Sequence, residues 1–406
     1  MARRRAGSKA LIKDINKILV LSTIREQGPV SRTELAQLTG LNASTISKIC
    51  DDLHKRDMLF DVGAGQSSGG RRPIQMLFNN NLGYIIVVKI EDARIRLALA
   101  NLKPSIMDDY SIPFQRGGSY PETIGLIKTE IQKLRAKLDA ENKELMGVGV
   151  ALSGIVHHNQ GKLMGSTFLG WAEEDIAGDL AEVAGAPVYV DNDINCYALA
   201  QHWLGSGKGE SNMLCLTIGQ GIGGGLVLEN KLYRGNAGGA GEIGHMICEQ
   251  GGRRCYCGQE GCLEGYCSYP ALRKDIQQEL GLSLTMEEIA QKAQSGHTGI
   301  CQLLEQAGKR LGSTLISLCM CIAPELIIIG GEGITKLPSY MDGVNKQFGE
   351  NWFSRSGMSP IPVLFDEPGN RFFLLGTALL VVDRLFGAPL FEEDNPLLRE
   401  SLSSTI

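Results

Sequence analysis

No stretch of the 406-residue chain is apolar for long enough to cross a bilayer or to serve as an export signal. The Met-Ala-Arg-Arg-Arg start is basic, but Asp14, Asn16 and Lys17 interrupt the hydrophobic residues behind it, and the most apolar late stretch, 372–386, carries Asp383 and Arg384. A spanning helix needs about 20 predominantly apolar residues, and a signal peptide needs an unbroken apolar core. The expected location is therefore the cytoplasm, with no membrane insertion. Internal repeats and low-complexity tracts are also missing, which leaves an ordinary globular composition, 43% apolar with 51 glycines gathered in loops. Eleven cysteines, an odd number without an export signal, speak against a disulfide framework and for reduced thiols with a bound metal. The length is too great for one ordinary core, so two or three domains are expected.

Negative charge is scarce at the N-terminus. Residues 1–80 hold thirteen Lys/Arg against seven Asp/Glu, a surplus of six positive charges in a chain whose sum is −5. A basic head on an acidic body implies that only the head meets a polyanion. Within it, Leu11, Ile12, Ile15, Ile18, Leu19 and Ile24 recur at helical spacing, and Gly28-Pro29 ends that helix. Ser31 and Glu34 form a capping box for a short helix that Gly40 closes, and Asn42 caps a third helix with the apolar stripe Ile46, Ile49, Cys50 and Leu53. Ser44, Thr45, Ser47 and Lys48 are left outward near its start, where short polar side chains can reach base edges in a major groove. A strand pair, 58–62 and 74–78, is joined by a loop with Arg71 and Arg72, a basic wing suited to phosphates or a narrow minor groove. The expected DNA-facing set is Ser31, Arg32, Asn42, Ser44, Thr45, Ser47, Lys48, Arg71 and Arg72.

From Leu82 onward the pattern becomes α/β: a hairpin over 84–90 and 95–100, a helix over 121–138, and buried strands over 147–152, 188–190, 214–218 and 326–329. Loops at strand ends are where ligands sit in such folds. Asn192 beside Asp193 can bind vicinal hydroxyls, or can merely cap a helix. The run 219–225, with Gly219, Gly221, Gly223 and Gly224, exposes successive backbone N–H groups that could cradle a nucleotide phosphate, or can simply reverse the chain. The most specific stretch is Glu242 to Glu264. His245 is followed after nine residues by Cys255, Cys257 and Cys262, a C-x-C-x4-C with Gly258 and Gly261 for tight turning. One imidazole and three thiolates are a closed tetrahedral Zn2+ set, and such an ion supplies folding free energy to a loop that has no core of its own. Glu242 and Glu264 flank the ligands and can accept hydrogen bonds from ligand hydroxyls.

These residues together resemble the ROK family of sugar kinases and sugar-responsive repressors, on the repressor branch similar to the xylose, glucose and N-acetylglucosamine repressors. The pair E-x-G-H and C-x-C-G-x-x-G-C-x-E carries the match, which runs from the first helix to about Leu380. The resemblance implies a winged helix-turn-helix over 1–80, then a two-lobed actin-like, hexokinase-like fold with a structural zinc loop. The first lobe would be 81–195, completed by a C-terminal helix at about 372–395, and the second 196–371, with the zinc loop and a dimerisation surface. It further implies sugar contacts at Gly154, Thr167, Asn192, Asp193, Glu242, His245 and Glu264, with Asp193 the base if the protein were a kinase.

Two departures matter. Where family kinases have a D-x-G-G-T hairpin at the ATP phosphates, this chain reads Lys89-Ile90-Glu91-Asp92-Ala93-Arg94, without glycine and with two carboxylates that would repel a polyanion. Ile155 stands where some family kinases place arginine. The expected function is thus a sugar-responsive DNA-binding repressor rather than an enzyme. Its partners would be operator DNA, a sugar or sugar-phosphate effector, and a second copy in a homodimer or dimer of dimers. The rivals are an ATP-dependent sugar kinase with a fused regulatory head, and a repressor controlled by a protein such as a sugar-transporter subunit docking on an exposed apolar helix near 385–391.

Overall fold

The computed structural model describes residues 6–64, 73–331, 333–351, 361–366, 369, 371–388 and 395–398. Arg71 and Arg72 of the expected wing lie outside them. In the head, the first helix, α1 (Lys9–Gln27), starts where the Ser8 hydroxyl accepts the Leu11 N–H at 3.1 Å. A two-residue strand, β1 (Val30–Ser31), leads into α2 (Arg32–Thr39), which opens on the expected capping box: Ser31 Oγ accepts from the Glu34 N–H and the Glu34 carboxylate accepts from the Ser31 N–H. Gly40 closes α2 in the left-handed region at φ 70°, and Asn42 caps α3 (Ala43–Lys55) through the Thr45 N–H. Strands β2 (Leu59–Ala64) and β3 (Ile74–Phe78) pair antiparallel, and β1 adds to β3 as a third strand that the apolar pattern did not reveal.

The body repeats one strand order. Strands β4 (Tyr84–Ile90), β5 (Arg94–Asn101) and β6 (Ile106–Pro113) form an antiparallel meander. Helix α4 (Tyr120–Ala140) then leads to β7 (Leu145–Leu152), parallel to β4. The small pair β8 (Ile155–His157) and β9 (Lys162–Gly165), α5 (Ile176–Ala184) and β10 (Val188–Asn192), parallel to β7, complete the lobe. Helix α6 (Asp193–Leu204) crosses to the second sheet. There β11 (Met213–Ile218), β12 (Ile222–Leu228) and β13 (Lys231–Tyr233) form the meander.

After α7 (Glu264–Cys267), α8 (Tyr269–Leu280), α9 (Met286–Gln294) and α10 (Thr298–Ile322) comes β14 (Leu326–Gly330), parallel to β11. Helix α11 (Pro338–Asn351) then precedes β15 (Val363–Phe365), parallel to β14. The sheets are ordered β10-β7-β4-β5-β6 and β13-β12-β11-β14-β15. Each is therefore three antiparallel strands extended by two parallel ones, a duplication invisible in a sequence that shows no repeat. Among the described residues no helix is long and apolar enough to cross a membrane.

The last helix, α12 (Arg371–Phe386), packs against α6 and the first sheet and then reaches the head. Phe386 meets Phe78 of β3 edge to face at 5.4 Å, and the Arg25 guanidinium of α1 lies over both the Phe386 and Trp203 rings. One apolar cluster runs through this junction, from Leu21 and Ile46 of the head to Val87, Leu199 and Leu379 of the body. The expected exposed apolar face near 385–391 is therefore corrected for its described part: Leu385 is 1% and Phe386 7% exposed, because the head covers them. Truncating a buried phenylalanine costs about 3–5 kcal/mol. Phe386→Ala should lose that much stability in denaturant unfolding; a loss below about 1 kcal/mol, the scale of a surface substitution, would mean that this packing does not hold the head.

Candidate functional site

A cleft of about 1750 Å³ opens between the two sheets, at the ends of β4, β7, β10, β11 and β12. Asn192 and Asp193 sit at its base, where β10 becomes α6 with no intervening loop. The Asn192 side chain does what a helix cap does, accepting the Ile194 N–H at 2.8 Å, and its Nδ2 donates to the Gly154 carbonyl at 3.0 Å across to the first lobe's β7–β8 turn. Capping and ligand binding are compatible here, since the cap orients the amide. The preceding Asp191 is 1% exposed. Its carboxylate accepts from Arg234 Nε at 2.6 Å, from Asn195 Nδ2 and from the Asn192 N–H, and so locks the turn in place. Sequence reading passed over Asp191 and Arg234; nothing in the linear order joins residues 43 positions apart.

Burial pushes the Asp193 carboxyl above its ordinary value, and the nearby Lys89 ammonium pulls the other way. Lys89 is itself nearly buried, 3.3 Å from the Glu91 carboxylate and over the Phe373 ring. This end of the cleft is where a nucleotide phosphate would approach. It holds Glu91, paired with Lys89 and Arg94, and Asp92 facing Arg116 at 4.0 Å. The glycine run requires a correction. Only Gly219 to Gly221 form a turn; Gly223 and Gly224 lie in β12, paired with Thr217 and Leu216, and the Gly224 N–H donates to the Gly241 carbonyl. A side chain at Gly223 would meet Ile194 at 2.6 Å, and one at Gly225 would meet Ala198 at 2.5 Å. These glycines let α6 lie close on the sheet rather than cradling an anion.

On the second lobe, His245 ends a short 3-10 turn, and Cys255, Cys257 and Cys262 come round to meet it. The ligand atoms of all four lie within 4.8 Å of one another. Cys255 Sγ is 3.6 Å from His245 Nδ1, and Cys257 Sγ is 3.6 Å from Cys262 Sγ. A tetrahedral ion with metal–sulfur bonds of about 2.3 Å needs ligand separations near 3.8 Å, so this donor set fits a metal. Gly261, at φ 81°, sits so close to the Glu249 carbonyl that a Cβ would fall 1.8 Å from it, and its N–H donates to Arg253 as the loop folds back.

With Nδ1 turned to the cysteines, Nε2 of the same ring faces the cleft, 3.9 Å from Glu242 and 3.4 Å from the Tyr256 hydroxyl. Partial burial raises the Glu242 carboxyl, the His245 ring lowers it, and neighbouring Glu264 raises it again. Glu264, 6% exposed, accepts the Ile222 N–H at 2.8 Å, which leaves its other oxygen for a ligand. Thr167 stands across the cleft on the exposed loop after β9. Gly154, Thr167, Asn192, Asp193, Glu242, His245 and Glu264 all line this one cleft. Tyr256 lines it too and was overlooked; its place between two cysteine ligands was the available signal.

In the head, α3 presents Ser44 and Lys48 fully and Thr45 and Ser47 partly, with Ile46, Cys50 and Leu53 buried beneath. Three of the expected contacts are otherwise engaged. Ser31 is 2% exposed with its hydroxyl in the capping box, Asn42 Oδ1 accepts from Thr45 N–H and Ser44 Oγ, and Arg32 is paired with Asp51 at 2.7 Å.

A sheet order used twice, with a helix crossing between the copies and a cleft at the strand ends, is the plan of the actin-like, hexokinase-like class of proteins. Within that class the chain belongs to the ROK family, whose model matches residues 87–384. It is 30% identical over 378 residues to the xylose repressor of Bacillus subtilis (strain 168), covering 93% of this chain and 97% of that one. A solved ROK family transcriptional regulator, described as a homologue of the E. coli Mlc protein, shares the fold over 94% of this chain and 98% of its own, with a TM-score of 0.83 at 23% identity. The ROK hexokinase of Thermus thermophilus aligns over 97% of its length but only 73% of this chain, with a TM-score of 0.64 at 26% identity. Metal analysis tests the cluster directly: Cys262→Ser should lose the bound ion, whereas Cys267→Ser, whose thiol lies against the Ala307 carbonyl outside the cluster, should keep it. Equal metal content in both would remove the cluster as the site.

Proposed function

We propose that the chain is a sugar-responsive DNA-binding repressor of carbohydrate uptake and catabolism genes. One contrast inside the cleft carries this reading. The hydroxyl-binding end is assembled, with Asn192, Asp193, Glu242, His245 and Glu264 converging, while the phosphate end bears Glu91 and Asp92 and no exposed glycine cradle. Phosphoryl transfer depends on neutralising charge around the transferred group, so carboxylates there remove most of the rate even with Asp193 present as a base. The protein's similarity to a named repressor along nearly its whole length supports the same conclusion.

In this reading the head is a winged helix-turn-helix. Helix α3 enters the major groove with Ser44, Thr45, Ser47 and Lys48, and Arg32 adds a phosphate contact. The ion at His245, Cys255, Cys257 and Cys262 is a structural Zn2+, held in a closed four-ligand set that leaves no open position for substrate. With Nδ1 on the metal, the neutral ring carries its proton on Nε2 and donates it into the cleft. A saccharide donates hydroxyls to the carboxylates and accepts from Nε2. Its effect on the operator extends only as far as its unequal affinity for two arrangements of the lobes. The route is short, because α6 begins at Asn192 in the cleft and ends at Trp203 under Arg25 of the head. Paired half-sites call for a homodimer, since one short helix reads few bases.

Lys48→Ala should weaken operator binding and reduce the slope of log affinity against log salt by about 1, the counterion released at one phosphate. An unchanged slope would take α3 out of the interface. The kinase alternative rests on Asp193, whose carboxyl is raised beside Lys89. Pure protein given ATP and a panel of sugars should show no turnover at ordinary kinase rates; turnover that Asp193→Asn abolishes would overturn the purely regulatory reading.

A further inference from the structure

Tyr256 is 64% exposed, yet its hydroxyl sits among the groups that would hold a ligand hydroxyl. The oxygen lies 3.4 Å from His245 Nε2, donates to the Glu264 carboxylate and accepts from the Thr167 hydroxyl. The ring touches His245 edge on, with 5.4 Å between centroids and planes at 84°. Apolar burial does not hold an aromatic ring this open to solvent; the polar contacts of its one oxygen do. Those contacts join the two lobes, since Thr167 follows β9 in the first and Tyr256 lies in the cysteine loop of the second.

We propose that Tyr256 is a built-in stand-in for the saccharide. In the ligand-free protein its hydroxyl occupies a sugar-hydroxyl position between Thr167, His245 and Glu264, and a sugar binds by displacing it. The proposal rests on the reading of the cleft as a saccharide site. A phenol hydroxyl offers one donor and acceptor lone pairs, the same inventory as an alcohol, so the site's polar groups stay satisfied when no ligand is present. The neighbouring ligands Cys255 and Cys257 anchor the backbone on either side, so the side chain moves while the loop stays. Displacement exchanges a tyrosine bridge between the lobes for a ligand-borne one. Because binding competes with an occupied state, the apparent affinity is lowered in proportion to that occupancy.

The experiment is calorimetric titration of the full-length protein with D-xylose, D-glucose and N-acetyl-D-glucosamine, wild type against Tyr256→Phe. The variant should retain its metal and bind the same sugar roughly tenfold more tightly, the scale of the one or two hydrogen bonds no longer competing. Equal or weaker binding overturns the proposal, because the hydroxyl would then be idle or would hold the sugar itself. A double-mutant cycle of Tyr256→Phe and Thr167→Val in sugar-free unfolding reads the bridge without any ligand: non-additive losses support it and additive losses overturn it. If the wild type binds no sugar of the panel, the saccharide reading of the cleft fails, and the cycle still decides whether Tyr256 ties the lobes together.

Discussion

The His245 ring has two edges and a different neighbour on each. Nδ1 faces Cys255 and Nε2 faces the cleft. An imidazole can serve both only if its plane is fixed, and the three cysteines fix it, because a loop of glycines and charged residues has little apolar surface to bury for itself. Glu264 follows Cys262 by two residues and opens α7, so the same anchoring aims a carboxylate into the cleft. The metal-type cluster and the hydroxyl-type cleft are thus one construction, and the proposed sugar response depends on it.

The second constraint is the close packing of α6. It carries Asn192 and Asp193 at one end and Trp203 at the other, lies on β12 where the glycines leave room, and runs beside α12, whose Phe386 is buried under the head. Interiors packed at crystal-like density transmit a displacement instead of absorbing it. A change in lobe spacing at the cleft therefore has a direct mechanical path to α1 and β3 through Arg25 and Phe78. The fold shared with a hexokinase keeps the closing motion, while Lys89, Glu91 and Asp92 alter what that motion can act on.

Much of this was legible in the linear order. The Ser31–Glu34 capping box, the Asn42 cap, the Gly40 stop and the His-Cys spacing are local, each set by atoms a few residues apart, and they appear as read. Where the reading went astray, distance was the cause. The glycine run looked like an anion cradle because its partners Ile194 and Ala198 on α6 cannot be inferred from spacing. Leu385 and Phe386 looked like a free apolar face because the head that covers them lies more than 300 residues earlier in the chain.

Composition, caps and motif spacing alone determined a basic three-helix head, an α/β body, a four-ligand metal loop and the loss of the kinase phosphate hairpin, since these follow from local propensity and donor chemistry. Only the tertiary structure decided that the two sheets share one strand order, that Asp191 and Arg234 lock the Asn192 turn, that Tyr256 reaches Thr167 across the cleft, and that head and body share a core. Each of these is a contact between segments remote in sequence, fixed by the packing of whole elements that no local pattern encodes.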